Sequence, residues 1–179
     1  PSEEEALNAA KNILKELHAE QLNNVEVLGL IGAINKRLFE ISNDDNYLDN
    51  AINSYEKGFQ LKQDYYNGIN TAFMLYVKTS LLKSQRKDWE DEKLSADYIR
   101  NQVLKITLKM EQEEDFLEND DAIWVLLTIA EAYHYKGTKD LMTTYENKAK
   151  KMAEAKNDTF AMSSYEEQKT KIKKLNVNF

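Results

Sequence analysis

The residues with the spacing of a reactive site are Glu131 and His134, in the sequence Glu131-Ala-Tyr-His134. A Glu and a His three positions apart lie on one helix face, and di-iron bundles use two such pairs together with two further glutamates. The only other histidine is His18, and no glutamate stands three residues before it. We therefore interpret His134 as a packed or groove-lining side chain and His18 as a surface residue, and we expect no metal and no cofactor.

Other kinds of catalysis find little support in the sequence. There is no cysteine, no Gly-x-Ser-x-Gly motif and no glycine-rich phosphate loop, and two histidines leave little for a catalytic triad. The many carboxylates are spaced with lysines as helix-surface pairs are. A glycosidase-like pair of carboxylates stays an alternative. We predict that the chain is not an enzyme.

Composition narrows the classes of partner and compartment. A net charge of -7 over 179 residues disfavours nucleic acid, because an acidic chain repels phosphate groups. No apolar run approaches the roughly 20 residues that a membrane-spanning helix needs. Without a signal peptide, the predicted location is cytoplasmic. A capping box at Ser2 follows Pro1 directly, so we expect a domain excised from a longer protein.

The apolar spacing predicts a single all-helical domain over residues 1–179. One proline and five glycines are too few for the turns of a β protein. Capping boxes are predicted at Ser2, Asn46 and Ser163. The predicted helices cover roughly residues 3–22, 25–41, 47–62, 65–82, 92–113, 120–135, 139–155 and 163–175.

The third predicted helix carries Ala51, Tyr55 and Gly58 on one face. Small residues there let a neighbouring helix approach closely, and the aromatic ring fills the gap beside them. This pattern is typical of helical-hairpin repeats. We expect the second helix to pair with the third, the fourth with the fifth and the sixth with the seventh. The predicted fold is a right-handed α-α superhelix of about three hairpins, with an extra N-terminal helix and a C-terminal capping helix.

Several segments resemble one known family over about residues 25–175. They are Gly29-Leu-Ile-Gly-Ala-Ile-Asn-Lys-Arg-Leu38, Tyr47-Leu-Asp-Asn-Ala-Ile, Tyr55-Glu-Lys-Gly-Phe59, Tyr65-Tyr-Asn-Gly-Ile-Asn-Thr-Ala72 and Leu127-Thr-Ile-Ala-Glu-Ala-Tyr133. The family is the tetratricopeptide-like "TRAFs-binding" domain of apoptosis signal-regulating kinases and of uncharacterised bacterial proteins. The resemblance implies a non-catalytic regulatory scaffold that holds a partner protein or a neighbouring domain. The composition, rich in Asn, Lys and Ile, favours a bacterial member, so a TRAF-like partner is not carried over.

In such hairpins the first helix of each pair lines a concave groove. Aligning the three first helices on Gly32, Ala72 and Ala130 places equivalent residues at the same positions. Lys36 and Arg37 suit a carboxylate or an acidic peptide. The predicted partner-binding groove consists of Asn35, Lys36, Arg37, Asn70, Phe73, Tyr76, Glu131, His134 and Tyr135.

Alternatives remain open for part of this groove. Phe73 and one of the tyrosines are core residues in the alternative interpretation. Asn35 and Asn70 either bond the backbone of a bound peptide or cap a local turn. Asn35 also stands where repeats of this kind often carry a tyrosine.

Two charge runs have a plain and a functional interpretation. Seven of the eleven residues 111–121 are acidic, which indicates a solvated connection or a docking site for a basic partner. Lys148, Lys150, Lys151 and Lys156 form a solvated helix face or a patch that binds the acidic segment of another copy. The second interpretation predicts weak, salt-sensitive self-association.

The function predicted from the sequence is protein–protein interaction without catalysis, with a peptide or partner domain bound in the concave groove. The first rival is a structural or oligomerisation module that packs against another domain of its own parent chain. That rival predicts a large exposed apolar patch. The second rival is a metal-dependent enzyme that uses Glu131 and His134.

Overall fold

A computed structural model describes residues 2–17 and 23–175 of the chain. Within these ranges the backbone is helix or connection, with no strand, which confirms the predicted all-α class. The part of the first predicted helix at residues 18–22, with His18, lies outside the described residues. The helices are α1 Glu3–Glu16, α2 Val25–Ser42, α3 Asp45–Lys62, α4 Tyr65–Ser84, α5 Glu90–Glu111, α6 Ala122–Tyr135, α7 Lys139–Lys156 and α8 Phe160–Lys174, with a 3-10 helix at Phe116–Glu118.

Side-chain caps decide where several helices begin. The capping box predicted at Ser2 is present. The boxes predicted at Asn46 and Ser163 are wrong, because the carboxylates of Asp44 and Asp158 accept the first backbone N–H bonds of α3 and α8 instead. Both helices therefore begin earlier than predicted, and the connection from α2 to α3 shortens to two residues.

The chain divides into two compact units, residues 1–99 and 100–179. In the first unit α2 packs against α3 and α3 packs against α4, while α2 also meets α4 and α1 lies on α2. The second helix of one hairpin thus contacts the first helices of its own and of the next hairpin. This is the packing order of a helical-hairpin array.

One close approach in the first unit joins α2 and α3 at Gly32 and Tyr55. A Cβ added at Gly32 would lie 2.7 Å from a ring carbon of Tyr55, whose side chain is 1% exposed. Ala51 and Gly58 are buried on the same face of α3, and a Cβ at Gly58 would lie 2.7 Å from Cγ of Asn67 on α4. The prediction that this face admits close neighbours is confirmed.

The second unit contains the end of α5, the 3-10 helix and α6 to α8. α6 packs against α7 as predicted, and α8 lies against both. Gly137 ends α6 with a positive φ of 69°, and the next residue, Thr138, donates its N–H to the carbonyl oxygen of Tyr133. This C-terminal cap turns the chain sharply into α7.

One polar cluster recurs between helices in both units. The tyrosine hydroxyl donates to a carboxylate on a neighbouring helix, and a lysine bonds the same carboxylate while its ammonium group lies over the tyrosine ring. In the first unit Tyr76 Oη lies 2.9 Å from Asp97 Oδ1, and Lys93 Nζ lies 2.7 Å from Asp97 Oδ2 and 6.0 Å from the ring centroid of Tyr76. We call this arrangement the Tyr–carboxylate–Lys cluster.

The second unit contains two such clusters. Tyr145 Oη donates to Glu111 at 2.8 Å, and Lys148 bonds the same carboxylate and lies over the tyrosine ring. Tyr165 Oη donates to Glu146 at 2.9 Å, and Lys169 Nζ lies 2.8 Å from that carboxylate. The Tyr145 cluster joins α7 to α5, and the Tyr165 cluster joins α8 to α7. Burial of the tyrosine, followed by its carboxylate, raises the pKa of Tyr145 and of Tyr165, so both hydroxyls stay donors.

Gly32→Ala tests the close approach of α2 and α3. Alanine favours a helix interior by about 1 kcal/mol over glycine. The new methyl group would overlap the Tyr55 ring, and such overpacking costs about 1–3 kcal/mol. We expect a net loss of about 1 kcal/mol in the free energy of unfolding, measured by urea denaturation. In a Tyr55→Leu background the penalty should vanish. An equal loss in both backgrounds, or a gain in the wild-type background, contradicts the assignment.

Tyr165→Phe tests the cluster that attaches α8. Removing the hydroxyl leaves Glu146 without one buried donor, and we expect a loss of about 1–2 kcal/mol in the free energy of unfolding. Tyr133→Phe is the matched control, because the Tyr133 hydroxyl makes no hydrogen bond in the described part of the second unit. If both substitutions have the same small effect, the cluster does not hold α8.

Candidate functional site

The candidate site in the first unit lies where the first helices of two hairpins run side by side. Leu30, Ala33 and Arg37 recur at i, i+3 and i+7 and so form one stripe of α2. Residues at the start of α4 flank this stripe. We define the α2–α4 face as Leu30, Ala33, Lys36, Arg37, Tyr66 and Asn70.

Lys36 is held between the two helices by groups on α4. Its Nζ lies 3.1 Å from Oδ1 of Asn70 and 4.5 Å from the ring centroid of Phe73. Asn70 is itself oriented, because its Nδ2 donates to the carbonyl oxygen of Tyr66 at 2.9 Å. A hydrogen bond and a cation–π contact therefore fix the position of this ammonium group on the face.

Arg37 brings a second cation to the face. Its guanidinium lies 3.1 Å from Glu40 and 3.7 Å from Glu3, and its side chain is 49% exposed. Exposed ion pairs of this kind contribute about 0–1 kcal/mol each. A carboxylate on a partner can therefore replace either glutamate at little cost.

Leu30 and Tyr66 supply the apolar part of the face. They are 51% and 47% exposed. The Tyr66 ring meets the buried Tyr55 ring edge-on at a centroid distance of 6.1 Å. Burial of its hydroxyl raises the pKa of Tyr66, so the group remains a proton donor at neutral pH. Tyr66 thus offers a held aromatic surface beside the two cations.

Three residues of the predicted groove in the first unit are buried. Phe73 and Tyr76 are 3% and 1% exposed, as the core interpretation has them. Asn35 is also buried, and its Nδ2 donates to the carbonyl oxygen of Ile31. It lines a cavity of about 30 Å³ together with Lys11 and other residues of α1 and α2. Asn35 therefore lies on the side of α2 that faces α1, and all three side chains pack within the unit.

The predicted groove residues of the second unit are Glu131, His134 and Tyr135, all on α6. Glu131 and Tyr135 are buried, and the guanidinium carbon of Arg100 lies 3.6 Å from the ring centroid of Tyr135. His134 is half-buried, with Nδ1 3.2 Å from Sδ of Met142 on α7. These contacts join α6 to α5 and to α7, so the residues serve the packing of this unit.

The surroundings of His134 favour its neutral form. Burial lowers the pKa of His134, and Lys169 and Lys173 on α8 lower it further, while Glu146 on α7 opposes them. Protonation would place a third positive charge beside the two lysines. In the described ranges no three His, Asp or Glu side chains are grouped to hold a metal ion, so Glu131 and His134 have no complete donor set there.

The acidic segment 111–121 contacts part of the basic run within the same chain. Lys148 bonds Glu111, and Lys156 Nζ donates to the carbonyl oxygen of Asn119 at 3.2 Å. Self-association through these charges stays a prediction. Among the described helices, none combines the length and the apolarity needed to cross a membrane.

Leu30 and Tyr66 are the functional candidates that sequence reasoning missed. Relative to the aligned positions Gly32 and Ala72, they lie two and six residues earlier. Extending the alignment toward the helix starts would have found both. Sequence spacing does not report that both side chains are half-exposed while Phe73 and Tyr76 are buried.

The antiparallel helical hairpins, with small residues at the helix contacts, are consistent with a tetratricopeptide-like fold. Residues 2–75 match the profile of the family described as Tetratricopeptide Repeats-Sensor, which supports a tetratricopeptide-like family. Comparisons with curated proteins and with solved structures find no significant match. At the general level, the match supports a protein-interaction scaffold of a fold that is typically non-catalytic.

His134→Gln tests the electrostatics of the second unit. Because the folded pKa lies below the unfolded value, the unfolded chain binds more protons as the pH falls through the ordinary range of histidine. The free energy of unfolding should therefore decline as the pH falls from about 7.5 to about 5.5, a range that spans the ordinary histidine pKa of about 6.5. His134→Gln should make this decline with pH less steep. His18 is present in both proteins and cancels from the comparison. Identical slopes from urea denaturation would refute the assignment.

Proposed function

We propose that the chain is a non-catalytic scaffold and that its α2–α4 face binds an extended peptide or segment of a partner protein. The supporting observation is the position of Lys36, which Asn70 and Phe73 hold between the first helices of two hairpins. Leu30 and Tyr66 present apolar surface beside this cation. A fixed charge next to half-exposed apolar groups is the chemistry of a peptide-binding surface.

The partner that fits has an acidic group next to an apolar side chain. Lys36 and Arg37 bond a carboxylate, and charge-assisted hydrogen bonds of this kind are about twice as strong as neutral ones. The Tyr66 ring packs against the apolar side chain. Tyrosine and arginine are both common among residues that dominate interface energies.

The proposal uses a smaller surface than the groove predicted from the sequence. It keeps Lys36, Arg37 and Asn70 and adds Leu30 and Tyr66. The side chains of the second unit in that predicted groove pack within their unit, so the proposal assigns them no contact with the partner. The proposal also includes a regulatory role for the parent protein, which rests on the resemblance of the sequence to the TRAFs-binding domain.

A display library of random peptides, panned against the purified protein, tests the α2–α4 face. The test variant is Leu30→Glu/Arg37→Glu, and the control is Leu61→Glu/Lys62→Glu on exposed positions of α3, which makes the same change in charge. We expect selected peptides to be enriched in Asp or Glu beside apolar residues. Their affinity, measured by fluorescence anisotropy, should fall about tenfold or more in the test variant and stay unchanged in the control.

Equal binding by the test variant would place the site elsewhere. In that case, exposed apolar side chains on α5 favour the structural-module alternative. Leu94 and Tyr98 are 70% and 64% exposed and lie one turn apart. That alternative predicts concentration-dependent self-association in sedimentation experiments, lost on Leu94→Gln/Tyr98→Gln. Circular dichroism of every variant shows whether the helices are retained.

A further inference from the structure

An aromatic pair on the second unit stays partly exposed where α6 meets α8. Trp124 on α6 and Phe160 at the start of α8 meet edge-on with ring centroids 6.0 Å apart. Phe160 is 73% exposed, the largest value among the described large apolar side chains. An exposed phenyl ring beside a half-buried indole, bordered by charged residues, has the composition of an interaction surface.

The acidic segment 111–121 borders this pair. Asp120 and Asp121 precede Trp124 by about one turn. The bond from Lys156 to Asn119 ties the segment to the end of α7, directly before the short connection that leads to Phe160. The carboxylates and the aromatic rings therefore lie at the same end of the unit.

Most of the charge of this segment is not balanced. Glu111 bonds Lys148, whereas six carboxylates are exposed and make no ion pair with any described residue. These six are Glu113, Glu114, Asp115, Glu118, Asp120 and Asp121. Their combined field attracts cations and repels acidic partners.

We propose that this aromatic pair and the acidic segment dock a basic segment of a partner protein that carries an aliphatic or aromatic anchor. We call the surface the Trp124–Phe160 patch. The sign of the charge selects the occupant, because the exposed carboxylates complement Lys and Arg and disfavour an acidic peptide or a nucleic acid. The anchor packs against Phe160, which lacks cover on most of its surface. This surface belongs to the second unit and is distinct from the α2–α4 face.

The probe is a pair of short peptides rich in Lys and Arg. One carries Leu anchors at i and i+4, and the other has Ala at the same positions and the same charge. Trp89→Phe leaves Trp124 as the only tryptophan, so its fluorescence reports on the patch directly. We expect a saturable change in Trp124 emission, with about tenfold tighter binding of the Leu peptide than of the Ala peptide.

Two substitutions separate the apolar and the electrostatic contributions. Phe160→Gln should weaken the Leu peptide about tenfold and leave the Ala peptide unchanged. Glu113→Gln/Glu114→Gln should weaken both peptides and reduce the dependence of affinity on salt. The matched controls Leu141→Gln on α7 and Glu154→Gln/Glu167→Gln are at exposed positions of the same unit and should have no effect.

Three results overturn the proposal. The first is equal affinity for the Leu and Ala peptides, and the second is equal loss in Phe160→Gln and in its Leu141→Gln control. The third is self-association of the protein alone that Phe160→Gln abolishes, since a second copy would then be the occupant. The Leu30→Glu/Arg37→Glu variant of the α2–α4 face should lose the acidic peptides and still bind the basic Leu peptide at the patch. The two proposals can therefore fail independently of each other.

Discussion

The absence of a side chain at Gly32 is the constraint on which the first unit depends. The Tyr55 ring occupies the space that a Cβ at Gly32 would need, so α2 and α3 can meet at this distance only with glycine at position 32. Gly58 repeats the arrangement toward Asn67 on α4. The two contacts fix α3 between the first helices of successive hairpins, and α2 and α4 then meet along the face that carries Lys36 and Tyr66. A binding surface made by two helices is only as well defined as the distance between them.

Polar clusters supplement this packing where small residues do not determine it. In each Tyr–carboxylate–Lys cluster the phenol hydroxyl, the carboxylate and the ammonium group satisfy one another, which a buried polar group requires. Because the three groups must meet at once, they define the register of one helix against another more narrowly than apolar side chains do. Two of the clusters join α5, α7 and α8 in the second unit. The last helix therefore has a directional attachment as well as the buried contacts of Tyr165 and Ile172.

The spacing of apolar residues predicts the helices, because each apolar face repeats over several turns. A single polar residue within such a face does not change its period. The errors at Asn46 and Ser163 are local. Asp44 lies two residues before Asn46 and Asp158 five residues before Ser163, and each caps an earlier helix start. Spacing does not rank such caps. The site shows a deeper limit, since periodicity identifies which residues share a face but not how far each lies from solvent. Phe73 and Tyr76 have the spacing expected of groove residues, yet neighbouring elements bury them.

On the α2–α4 face, we propose that an acidic and apolar segment of a partner binds. Methyl-group nuclear magnetic resonance of the protein, titrated with a peptide selected by it, tests this most directly. The largest chemical-shift changes are expected at the methyl groups of Leu30 and Ala33 on α2, with those of Leu61 on α3 unchanged. Changes centred on Leu61, or confined to the second unit, would contradict it.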